Sequence, residues 1–144
     1  DMDLGIGSYT FGWDSGTYGW EMTRHREHLT ARQLVDKAVD LGVGMVQICV
    51  RPSVHEMSRG ELEELHSYAS EKGIHIEVGT TGSDPEHLRE YLNIAKTLEA
   101  PLVRTIFPQA SRGLSRERSQ LREIAAEYER EKIHLAIENH ETYG

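Results

Sequence analysis

The sequence holds a single cysteine, Cys49, among its 144 residues. An internal disulfide is therefore impossible, and so is a Cys-x-x-Cys metal site. Long hydrophobic runs are missing too, and nothing approaches the roughly 20 apolar residues that cross a bilayer as a helix. The N-terminus, Asp1-Met2-Asp3, lacks the basic and apolar regions of a secretory signal. Basic charge is in deficit, with 16 Lys and Arg against 24 Asp and Glu and a net charge of −8. Nucleic-acid partners call for the opposite balance. The expectation is a soluble, cytoplasmic protein with neither a membrane nor a nucleic acid as partner. No linker or low-complexity stretch divides the chain, so residues 1–144 read as one domain. Gly5-Ile6-Gly7 does not continue into Gly-x-Gly-x-x-Gly, and a dinucleotide fingerprint is not supported.

What is present is a regular alternation of strand and helix patterns. Strands are expected at 4–10, 45–50, 74–78, 102–107 and 133–140, each with apolar residues at period two. Thr30 followed by Gln33, and Ser58 followed by Glu61, are capping boxes that open helices. Asp84-Pro85 opens a third helix with a cap and a first-turn proline, and a fourth begins near Ser115. Gly42 and Gly73 supply stops. After a long loop, 11–28, the units recur at the size of a βαβ unit, which implies a parallel sheet. That loop carries Trp13, Tyr18, Trp20, His25 and His28, and its aromatics either cover a ligand or pin the loop to the surface.

Parity within the strands separates two faces. Val46, Ile48 and Val50, then Ile74, Ile76 and Val78, then Val103 and Phe107, then Ile133, Leu135 and Ile137 form an apolar set. Gln47, Cys49, Glu77, Arg104 and Glu138 fall on the other. A sheet covered by helices on both sides would need two apolar faces. A barrel with helices outside and polar groups inside fits better. Glu77 and Arg104, on adjacent strands, are expected to form an ion pair, because buried charges need partners. Glu138 stands at the carboxyl end of the last strand, where parallel α/β folds bind ligands. Unpaired edges on the first and last strands make a homo-oligomer conceivable.

Leu4-Gly5-Ile6-Gly7-Ser8-Tyr9, Val46-Gln47-Ile48-Cys49 and above all Leu135-Ala136-Ile137-Glu138-Asn139-His140 carry a resemblance. The chain resembles the N-terminal part of the xylose-isomerase-like TIM-barrel superfamily, in its sugar-phosphate isomerase/epimerase branch. The resemblance implies an α/β fold with about five strands of a (β/α)8 barrel, and it implies a divalent metal ion, one of Mn²⁺, Mg²⁺, Co²⁺ or Zn²⁺. Glu138 would be both metal ligand and catalytic acid/base, taking a proton from carbon next to a carbonyl of a sugar or sugar-derived substrate. The family's other ligands would lie past Gly144, so this segment alone is expected to be inactive. His140 shares the parity of Glu138 and is a candidate substrate or outer-shell contact, or an ordinary loop histidine. Tyr9 could stack on a sugar or simply pack, and Arg104 could bind substrate or stitch the interior. His55 reads as a loop residue, His66 and His87 as surface or packing residues on helices, and Cys49 as a small packing residue. A polyol dehydratase or a non-catalytic sugar-binding relative remains the alternative.

Overall fold

The computed structural model describes residues 4–23, 25–107 and 115–138. Thr30 accepts from the backbone N–H of Gln33, whose side chain returns the bond, and helix α2 (Ala31–Leu41) follows. Ser58 and Glu61 repeat the arrangement ahead of α3 (Arg59–Glu71). Asp84 caps α4 (Pro85–Thr97), whose proline sits in the first turn. The other helices are a short α1 (Trp20–Thr23) and α5 (Ser115–Glu131). Gly42 ends α2 in the left-handed conformation, φ 67°, which glycine adopts without steric cost.

Five strands, β1 (Gly5–Gly7), β2 (Met45–Cys49), β3 (His75–Thr81), β4 (Leu102–Ile106) and β5 (His134–Ile137), form one parallel sheet in sequential order. Consecutive helices from α2 to α5 pack side by side over it. The core lies between these layers. Leu34, Leu65, Leu88, Ile124 and Tyr128 from the helices meet Val46, Ile48, Ile76, Val78 and Val103 from the strands. The division of faces expected from parity is therefore observed through these strands. No helix among the described residues is long and apolar enough to cross a membrane.

Several strand ends differ from expectation, and the third strand runs on past 78 to Thr81. The first strand stops at Gly7, and Ser8–Phe11 turns into a 3-10 helix. The reason lies in Ser8, whose hydroxyl donates to the Cys49 carbonyl and accepts from the Cys49 N–H, both at 3.0 Å. A side chain thus replaces the backbone ladder and releases the chain to turn. The second strand stops at Cys49, because Val50 takes φ 40° and is exposed instead of facing the helices.

Candidate active site

Strand register sorts the helix-free face into rows. Gln47 lies opposite Glu77, and the next row on this face is Cys49, Gly79, Arg104 and Ala136. Gly79 separates Cys49 from Arg104 and has no side chain. A Cβ placed there would come within 2.5 Å of the Cys49 sulfur and 3.4 Å of Arg104 Nε. The guanidinium therefore lies across the empty position and donates from one terminal nitrogen to Cys49 Sγ at 2.9 Å. Its other terminal nitrogen makes an ion pair with Glu138. Nε has no hydrogen-bond partner among the described residues.

The expected pair between Glu77 and Arg104 is not what the structure contains. Glu77 accepts a 3.0 Å hydrogen bond from the Gln47 amide, directly across the β2–β3 ladder. Arg104 is one row nearer the strands' carboxyl ends and takes Glu138 instead. Arg104 is paired, as expected, but it is half-buried where full burial was expected, with its side chain 20% exposed.

Glu138 follows the last residue of β5, and its backbone N–H still donates to the Thr105 carbonyl at 2.9 Å. That bond extends the ladder by one residue and fixes the direction of the side chain. Tyr9, on the 3-10 turn and not on the strand itself, lies within electrostatic reach of Cys49, Arg104 and Glu138. Burial raises the pKa of its phenol, and proximity to Cys49 adds to the effect. Tyr18 and Trp13 stand against each other beside it, with ring centroids of Tyr9 and Tyr18 6.1 Å apart and of Trp13 and Tyr18 6.3 Å apart. Both partners of Tyr9 in this cluster remain exposed.

The structure thus brings Tyr9, Arg104 and Glu138 together; His140 lies outside the described residues. It adds Cys49, which is more than a packing residue because its sulfur touches the guanidinium. Burial pushes the Cys49 thiol up, and the Arg104 charge opposes that rise without cancelling it. Period-two parity placed Cys49 on this face, and that was the signal for it. Sequence reasoning also missed the meeting of His55, His87 and Glu90, whose ligand atoms lie within 4.8 Å of one another. His87 and Glu90 are three residues apart on α4, but His55 comes from the connection between β2 and α3, and no sequence spacing joins it to them.

A divalent cation at Glu138 would need several oxygen or imidazole donors. Among the described residues this carboxylate is paired with a guanidinium, which repels a cation and itself donates to the Cys49 sulfur. The described donors do not compose a coordination sphere at Glu138.

The fold is that of the xylose-isomerase-like TIM barrels, present here as a partial barrel of five parallel strands. No protein-family profile matches the chain. It is 30% identical over 142 residues to a 3-oxo-isoapionate decarboxylase of Pectobacterium atrosepticum, covering 97% of this chain and 50% of that protein. The chain thus spans about half the length of the curated relative it matches. Among solved structures it is similar to a D-psicose 3-epimerase crystallised in the presence of D-fructose, with a TM-score of 0.73 and 16% identity. The match covers 99% of this chain and 54% of that one. A xylose isomerase domain protein from Planctomyces limnophilus gives a TM-score of 0.56 at 13% identity, covering 72% of this chain and 48% of its own.

Proposed function

We propose that residues 1–144 form a single domain, the N-terminal portion of a xylose-isomerase-like (β/α)8 barrel, and that the whole protein is a sugar or sugar-phosphate isomerase or epimerase. In this reading Glu138 moves the proton, and Arg104, Tyr9 and His140 bind substrate. The observation that carries it is the Arg104–Glu138 ion pair, held at the carboxyl ends of parallel strands on the face opposite the helices. Such ends are where barrel enzymes place their chemistry.

A carbonyl acidifies the C–H beside it. A carboxylate within hydrogen-bond reach removes that proton, leaving an enediolate, and returns it to the neighbouring carbon or to the other face. Arg104 holds Glu138 in one orientation and places a positive charge beside the oxygen on which negative charge develops. Tyr9, kept protonated by burial, can donate a hydrogen bond to the same substrate. A divalent ion in the whole protein would polarise the carbonyl when bound, and donors besides Glu138 would have to come from outside the described residues.

A second reading has its own support. The 30% identity to a decarboxylase exceeds the 16% to the epimerase. In a 3-oxo acid the bond to the carboxylate breaks, carbon dioxide leaves, and the electron pair forms an enolate with the 3-oxo group. The carbon would then take up a proton from solvent, relayed by Glu138. Both readings need a proton carrier at one enolate-forming carbon.

The test measures solvent-deuterium exchange into ketoses, and carbon dioxide release from 3-oxo sugar acids, by the whole protein. Glu138→Gln should lower the active reaction by about 10²–10⁴-fold with an unchanged melting curve. Undiminished turnover in that variant would rule Glu138 out. Carbon dioxide release without exchange into ketoses would select the decarboxylase.

A further inference from the structure

A second group of ligating side chains lies on the helix-covered side of the sheet. His55 stands in the 3-10 turn Val54–Glu56 between β2 and α3. His87 and Glu90 stand near the start of α4, which follows β3. The rings of His55 and His87 are 5.4 Å apart, and His55 Nε2 is 3.4 Å from a Glu90 oxygen. Neither ring is loosely placed. His55 stacks on Tyr91 at 5.7 Å and 12°, and His87 meets the same tyrosine at 5.0 Å. The buried hydroxyl of Thr80 is 2.6 Å from His87 Nε2.

We propose that His55, His87 and Glu90 bind one transition-metal cation of the zinc class. Two imidazoles and a carboxylate suit Zn²⁺, Co²⁺ or Ni²⁺ better than Mg²⁺ or Ca²⁺, which prefer oxygen donors throughout. One ligand atom from each residue can converge on a common point, since the three lie within 4.8 Å of one another. Three protein ligands leave a coordination position for water or a small oxygen ligand. Thr80 occupies the place of the outer-shell group that commonly orients a metal-binding histidine.

This site is separate from the Glu138 carboxylate. Thr80 has the helix-facing parity of Val78, whereas its neighbour Gly79 belongs to the row of Arg104. The cation would join the β2–α3 connection to α4, two segments that are already in contact.

The test uses the 144-residue chain carrying Glu138→Gln, which removes any metal held through that carboxylate. After chelator treatment and dialysis it is titrated with Co²⁺ by visible absorption and with Zn²⁺ by calorimetry. Saturation at a single equivalent is expected, with ligand-field bands of bound Co²⁺ that Zn²⁺ displaces. His55→Gln and Glu90→Gln, both at exposed positions, should each weaken binding at least about tenfold while circular dichroism is unchanged. Failure of the Glu138→Gln chain to bind, or binding that neither substitution weakens, would overturn the proposal. The activity of the whole protein does not enter this readout, so the site and the proposed function stand or fall independently.

Discussion

At position 79 a missing side chain decides where a charge goes. Arg104 crosses the glycine to reach Cys49 on one side and Glu138 on the other, and a methyl group at that position would collide with the sulfur. Period-two parity put Arg104, Cys49 and Glu138 on one face, but parity does not fix the row. Glu77 has the right face for Arg104 and the wrong height, because the β2–β3 register sets it against Gln47. The pairing was therefore unreadable without the register. Since Cys49 is the only thiol, its titration reports this cluster directly. Burial raises its pKa and Arg104 lowers it, so the alkylation rate by iodoacetamide should rise with a midpoint above the ordinary thiol value of about 8.5. Arg104→Leu should move that midpoint higher still. A midpoint that falls in the variant would show that the guanidinium does not sit against the sulfur.

Elements were legible where the chain marks its own boundaries. Thr30–Gln33, Ser58–Glu61 and Asp84-Pro85 announced helix starts because each caps its helix through bonds only a few residues long. The end of β1 depends instead on a bond between Ser8 and Cys49, 41 residues apart, and no local pattern encodes it. Long-range bonds also hold helix to helix. Tyr128 of α5 is buried and donates its hydroxyl to the Leu88 carbonyl of α4 at 2.6 Å. Arg89 and Glu127 form a two-pronged pair between the same helices, at 2.7 Å for the shortest contact. Tyr128→Phe keeps the ring packing and removes the bond, and should cost about 1 kcal/mol, read as a lower urea midpoint with unchanged slope. A Phe variant as stable as the wild type would mean that the hydroxyl contributes nothing.

Among the described residues the sheet ends at β5, whose outer edge has no strand partner there. Ile137 on that edge is 54% exposed, and Leu121, Ile133 and Leu135 beside it are only partly covered. Open edges with apolar side chains pair with other chains. The 144-residue chain should therefore self-associate with rising concentration in sedimentation velocity. Ile137→Lys, a charge at the edge, should shift it toward monomer while circular dichroism is retained. Concentration-independent monomer in the wild type would show that the edge is already satisfied.

The strand order carries a further consequence, for synthesis. Each described strand after the first pairs with the one made just before it, so these four pairings need no segment that has yet to leave the ribosome. Contacts between near neighbours in sequence form quickly, and chains emerge at about 5–20 residues per second with N-terminal segments free to fold first. The sheet can thus be laid down one βα unit at a time, with Arg104 free to meet Cys49 before β5 pairs and brings Glu138 to it.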